Sequence, residues 1–169
     1  MRTRAATARA GETIKVGLGQ LATSAQPGQR LAAVGLGSCV GLAAYDPVAK
    51  VAGMVHVVLP DSAIATSTGP PGKYADSAIP ALLEALRRLG ADPRRLVLKM
   101  AGGAQMFASG GGLLNIGARN AISVRASVAA AGLKITAADT GGTFGRTLEL
   151  RVDSGRVTVR AVGGQAVEL

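Results

Sequence analysis

The chain holds one cysteine, Cys39, and one histidine, His56, seventeen residues apart. A thiol and an imidazole within reach of one another form a nucleophile and its base. The imidazole takes the thiol proton, the thiolate attacks an acyl carbon, and the imidazolium returns the proton to the leaving group. Both residues also have an ordinary reading. A lone cysteine in an apolar strand is commonly a small buried hydrophobe, and a lone histidine near a strand end is commonly structural. Residue type alone leaves the two readings open.

The segment between them bears on the choice, because it has the pattern of a β-hairpin. Val40-Gly41-Leu42-Ala43-Ala44-Tyr45 and Val51-Ala52-Gly53-Met54-Val55 are short apolar runs around Asp46-Pro47-Val48-Ala49. Aspartate and proline there suit the first two positions of a type I turn. With those four residues as the loop, Tyr45 pairs with Lys50 and Cys39 falls directly opposite His56, both on one face. Opposed residues of an antiparallel pair have Cβ atoms roughly 4.5 to 5.5 Å apart. A slip of one residue would put the two side chains on opposite faces.

Other segments give a coarse outline. Residues 1–13 read as a flexible basic leader and 14–169 as a single domain. Val16 to Leu21 reads as a first short strand, and Leu31 to Leu36 as a strand entering the cysteine turn. Ser62 to Gly72, rich in Ser, Thr, Gly and Pro, reads as a loop. A helix is expected from Lys73 or Tyr74 to Leu89, closed by Gly90 and perturbed at Pro80. Leu96 to Ala101 should be a buried strand, and Ala118 to Ala131 a second helix stopped by Gly132. Thr147 to Val152 and Val157 to Val162, joined by Asp153-Ser154-Gly155-Arg156, form the clearest hairpin. The expected class is α+β with mostly antiparallel strands.

Composition excludes several functions. With 169 residues the chain can bury a core without disulfides, and one cysteine with one histidine supplies no usual zinc site, so neither metal nor cofactor is implied. The N-terminal residues lack the apolar stretch of a signal peptide, and no run is long enough to span a membrane. The expected setting is the cytoplasm, without membrane insertion. A net charge of +9 raises the question of nucleic acid, but the charges are scattered and the chain has two Phe, two Tyr and no Trp for base stacking. No nucleic-acid partner is expected. A basic surface better suits steering toward an acidic protein, with salt-sensitive binding. Of 24 glycines, those at Gly35 and Gly37, Gly102-Gly103, Gly110 to Gly112 and Gly141-Gly142 complete no nucleotide-binding fingerprint. They suit a tight cysteine turn and a narrow slot for a substrate side chain.

The order of short motifs adds a resemblance. The Gly35 to Val40 segment is followed by Tyr45-Asp46-Pro47, Gly53-Met54-Val55-His56-Val57-Val58-Leu59-Pro60 and Gly72-Lys73-Tyr74-Ala75-Asp76. Then come Ala101-Gly102-Gly103-Ala104-Gln105-Met106-Phe107, Asn115-Ile116-Gly117-Ala118-Arg119-Asn120 and Asp139-Thr140-Gly141-Gly142. From about Ile14 to the end, this series resembles the CheD family of chemoreceptor glutamine deamidases.

The resemblance implies a layered β-structure flanked by helices, similar to the deamidating domain of cytotoxic necrotizing factor toxins. It implies that Cys39 is the nucleophile and His56 the general acid and base, converting glutamines of methyl-accepting chemotaxis receptors to glutamate. Backbone amides around Gly37 to Cys39 would stabilise the oxyanion. A CheC-type phosphatase is a further expected partner, and Met106-Phe107 a candidate partner contact or simple core packing.

One departure stands out. Family members orient the histidine with a threonine hydroxyl in the strand before the glycine turn, and that position here is Ala33. Three readings follow: a backbone carbonyl takes over; Ser38, Ser62 or Thr66 takes over; or activity is reduced. The competing class is therefore a weakly active or inactive regulator that binds receptors and CheC.

Overall fold

A computed structural model describes residues 11–65, 69–107 and 115–169. Among these described residues ten strands form two five-stranded sheets, and two helices cover one of them. In chain order the strands are β1 (Thr13–Lys15), β2 (Leu21–Ser24), β3 (Arg30–Leu36), β4 (Val40–Asp46) and β5 (Val51–Val57). They continue with β6 (Val97–Gly102), β7 (Ile135–Thr140), β8 (Arg146–Arg151), β9 (Val157–Ala161) and β10 (Ala166–Glu168). The helices are α1 (Ala75–Arg88) and α2 (Ile116–Ala130). One sheet runs β1-β3-β8-β9-β10 and the other β2-β5-β4-β6-β7. All pairings are antiparallel except β1 with β3 and β6 with β7. The α+β class with mostly antiparallel strands and flanking helices is as expected.

Alternation along β4 and β5 builds the layers. Ala43, Tyr45, Ala52 and Met54 face the first sheet and pack on Leu31, Ala33, Leu36, Leu148 and Leu150. Leu42, Ala44, Val51, Val55 and Val57 face the other way, onto Ala78, Ile79, Leu82 and Leu86 of α1 and Val124 and Val128 of α2. Every residue of β4 and β5 is buried, as in a strand covered on both faces. Arg146, at the start of β8, ties the two sheets together. Its guanidinium donates to the carbonyls of Gly102 at 3.1 Å and Gly141 at 2.6 Å.

The β4–β5 hairpin forms with a different register from the one expected. Asp46 pairs with Val51, Tyr45 with Ala52 and Gly41 with His56, so Cys39 is not directly opposite His56. The cause lies at Asp46. Its carboxylate accepts from the Val48 and Ala49 N–H groups, from the Asp92 N–H and from the Arg95 guanidinium. Held there, Asp46 stays in the strand, and the loop becomes 47–50 with Lys50 left-handed at φ 56°. Moving both loop ends by one shifts the pairing by two, which keeps Cys39 and His56 on one face.

Other boundaries also move. The strand expected over Val16 to Leu21 does not form: residues 16–20 are the passage from β1 to β2, and Leu21 opens β2. Gly19 N–H donates to the His56 carbonyl, and His56 N–H donates to that of Gln20. Thr13, assigned to the leader, opens β1, and residues 1–10 lie outside the described residues. β7 and β10 were not anticipated: β7 carries a mixed pattern at a sheet edge, and β10 is short and exposed. Helix α1 continues through Pro80, whose ring is exposed at its sixth position. Helix α2 starts two residues early because Asn115 caps it, accepting from the Ala118 N–H.

Candidate active site

The site lies at one end of the sandwich, where the chain crosses between the sheets. Gly37-Ser38-Cys39 carries it from β3 to β4, and residues 16–20 carry it from β1 to β2. Cys39 is one residue before β4 and belongs to the layer between the sheets with Ala33, Leu36, Ala43, Ala101 and Leu148; it is 9% exposed. His56, near the end of β5 and 1% exposed, falls on the same face as Met54 and Ala52. Its direct partner across the ladder is Gly41, which has no side chain, and Cys39 is the next residue along that face. Diagonal neighbours of this kind have Cα atoms roughly 7 to 8 Å apart, within reach of an imidazole.

The orientation of the imidazole is determined by a backbone group. Nδ1 of His56 is 3.0 Å from the carbonyl oxygen of Val16. A carbonyl only accepts, so Nδ1 carries the proton and the neutral ring presents a bare Nε2. That Nε2 is buried and has no hydrogen-bond partner among the described residues. Burial pushes the His56 pKa below its ordinary value, opposed in part by the Val16 carbonyl. Burial likewise pushes the Cys39 thiol up, opposed by its own N–H. Both shifts favour a neutral thiol and a neutral imidazole over an ion pair in the resting site.

The loop bearing Cys39 is held by its carbonyls. That of Gly37 accepts from the Ala104 N–H at 2.8 Å, and that of Cys39 from the Gly103 N–H at 2.8 Å. The carbonyl of Ser38 accepts at 2.9 Å from Nδ2 of Asn120, a fully buried residue of α2. The Gly37 N–H is taken by the Gly35 carbonyl at 3.0 Å, so it is not available to a ligand. The N–H groups of Ser38 and Cys39 have no partner in another residue among the described residues.

The other expected residues fall in different places. Ala33 is buried, and its Cβ is 3.5 Å from where a Cβ at Gly41 would stand, so this position does border the site. Ser62 is on the surface, with its hydroxyl and N–H both committed to Asp76. Ser38 contributes its carbonyl to Asn120, while Thr66 and Gly110 to Gly112 lie outside the described residues. Met106 packs against Gly37 and is 44% exposed, and Phe107 is 87% exposed, so this pair is not core. Among the described residues no group of His, Cys, Asp and Glu could hold a metal ion.

The family model for CheD chemotactic sensory transduction matches residues 58–161. The chain belongs to the CheD family. A probable chemoreceptor glutamine deamidase CheD of Symbiobacterium thermophilum is 50% identical over 157 residues, covering 91% of this chain and 95% of the relative. One of Desulforamulus reducens is 44% identical, covering 92% and 95%. The chemoreceptor glutamine deamidase CheD of Thermotoga maritima is 47% identical, covering 88% and 92%.

Sequence reasoning assigned no role to Asn120, although Asn115 to Asn120 is one of the motifs that carry the CheD resemblance. The available signal was chemical. A carboxamide at the three- and four-residue spacing of Gly117, Val124 and Val128 falls on the buried face of the helix and needs buried partners. Its second donor meets the carbonyl of Val58 at 2.9 Å, so one amide group joins the cysteine loop to the chain just after His56. Gly117 makes this approach possible, since a Cβ there would lie 2.2 Å from the Ala104 carbonyl oxygen.

Proposed function

We propose that this CheD-family chain is a protein-glutamine deamidase acting on the cytoplasmic helical bundle of methyl-accepting chemotaxis receptors. The observation that carries the reading is Nε2 of His56, without a partner among the described residues, on a ring held by the Val16 carbonyl on the face it shares with Cys39. The names and extensive identity of the CheD relatives support the substrate class.

The chemistry follows from what a carboxamide needs. His56 Nε2 takes the Cys39 proton as Sγ attacks Cδ of a glutamine side chain, giving a tetrahedral oxyanion. Collapse breaks the C–N bond, and the imidazolium donates its proton to the departing nitrogen, which leaves as ammonia. Water, deprotonated by His56, then attacks the thioester, releasing glutamate and restoring the thiol. Proton transfer within the neutral pair generates the thiolate when substrate is in place, so no resting ion pair is required. The Val16 carbonyl holds the ring through each proton transfer, the role a threonine hydroxyl has in the usual CheD triad.

Mass spectrometry of a receptor cytoplasmic fragment incubated with the wild type and with Cys39→Ser tests this reading. Conversion of glutamine to glutamate by the wild type alone is expected, and deamidation retained by Cys39→Ser would sink it.

Ala33 favours a second reading, in which the chain binds receptors and CheC-type phosphatases while turning over slowly or not at all. Binding of the fragment with no conversion by either protein would select it.

A further inference from the structure

We propose that Asn120 is a positioning residue for this reaction: by holding the Ser38 carbonyl inside the fold, it aims the Cys39 N–H at the oxygen of the tetrahedral intermediate. The inference rests on Cys39 being the nucleophile.

The argument starts from the planarity of the peptide bond. The carbonyl of Ser38 and the N–H of Cys39 belong to one trans peptide unit, so they point in opposite directions. Fixing the carbonyl on Asn120 Nδ2 turns the Cys39 N–H away from α2. Among the described residues that N–H has no partner in another residue, and it is close enough to its own sulfur to favour the thiolate. An oxygen on a carbon bonded to Sγ would form on that side. The preceding peptide is treated alike. Its Gly37 carbonyl is held by the Ala104 N–H, which turns the Ser38 N–H outward as well. Two adjacent donors are thus left without a partner in another described residue by two anchors, and Asn120 is the one that is a side chain.

The details of Asn120 fit this role better than filling space. Both hydrogens of one amide group are used, on two carbonyls at 2.9 Å, which also determines which terminal atom is nitrogen. Oδ1 is left buried with no partner among the described residues. An apolar side chain would avoid that cost. The donated bond also polarises the peptide and strengthens its N–H as a donor.

The test compares Asn120→Leu, close to asparagine in shape, with Asn120→Ala, which leaves a void; neither has a donor. Folding is checked by circular dichroism, deamidation is measured on the receptor fragment, and Cys39 alkylation by iodoacetamide is followed across pH. Alkylation requires the thiol and its base but forms no oxyanion. Both variants should lose about ten- to a hundred-fold in kcat, with KM and the alkylation profile unchanged. Unchanged kcat in a folded variant would overturn the proposal. So would alkylation falling in parallel with kcat, or loss confined to the alanine variant, which would indicate packing.

If neither variant folds, the wild type is treated with a peptide carrying an aldehyde in place of the glutamine carboxamide. Attack by Cys39 gives a hemithioacetal, and the Cys39 amide proton should then move downfield as it bonds to the new oxygen. A proton that stays in place would count against the proposal. Deamidation by Cys39→Ser would instead remove the underlying reading, so the two failures are distinct.

Discussion

The carbonyl oxygen of Val16 and Nδ1 of His56 are 3.0 Å apart in a buried environment. Val16 follows β1 at the edge of one sheet, and His56 is in β5 of the other. The bond therefore joins the sheets where the chain crosses between them, and it provides the ring with a main-chain acceptor.

The Val16 bond predicts the effect of restoring the usual CheD threonine. Ala33→Thr should change kcat by less than about tenfold, because Nδ1 already has its acceptor and a tenfold gain would require about 1.4 kcal/mol of new transition-state stabilisation. Kinetics on the receptor fragment would decide. A larger gain would mean that the carbonyl is an inadequate substitute and that the natural chain is impaired.

The pKa directions predict how the thiol titrates. Burial raises the Cys39 value and lowers that of His56, so Cys39 should alkylate slowly at neutral pH and titrate above the free-thiol value of about 8.5. Since the His56 value lies below its ordinary one, the imidazole remains an available base to below about pH 6.5, and the acid limb of kcat/KM should fall in that range. A thiolate titrating near pH 4, as in an ion pair, would contradict the neutral resting site.

Helix α2 docks through Gly117, where an added Cβ would meet the backbone of Gly103 and Ala104 at 2.2 to 2.7 Å. Gly117→Ala must push the helix outward and with it Asn120. The expected result is a destabilisation of about 1–3 kcal/mol from overpacking and a fall in kcat at temperatures where the variant is folded. A variant matching the wild type in thermal melting and kcat would show that the contact is soft.

At the opposite end of the hairpin, Asp46 is buried beside the Arg95 guanidinium, which does most to hold its carboxyl well below the usual carboxylate range, aided by three backbone N–H groups. A lowered folded-state pKa means stability that is fully present above the unfolded value of about 3.9 and lost as pH falls below it. Asp46→Ala should cost about 2–3 kcal/mol through the lost Arg95 bond, discounted for the half-exposed guanidinium, and the stranded backbone donors. Its urea melts should lack the wild type's steepening loss of stability below that pH. An identical acid dependence would remove Asp46 as the cause.

Phe107 projects into solvent beside Met106, which covers Gly37 of the cysteine loop. We expect Phe107→Asp to leave the melting temperature unchanged and to weaken binding of the receptor fragment or of a CheC-type protein, measured by calorimetry. Unaltered binding to both would dismiss this contact.

The amino-acid sequence alone carried the pairing of Cys39 with His56 on one face, because alternation along a strand is periodic and a two-residue error in register preserves it. It also carried the CheD resemblance, both helices and the closing hairpin, all of which rest on local spacing and on turn residues. Tertiary structure decided the rest. The register followed from Asp46 being held by Asp92 and Arg95, nearly fifty residues away. The group that orients His56 is a main-chain carbonyl, which every residue possesses and no residue type announces. The hold of Asn120 on Ser38 spans 82 positions and exists only because α2 packs onto Gly103 and Ala104, just past the end of β6. Side-chain chemistry is written in residue identity, whereas backbone acceptors and long-range hydrogen bonds acquire their roles when the sheets and helices close around them.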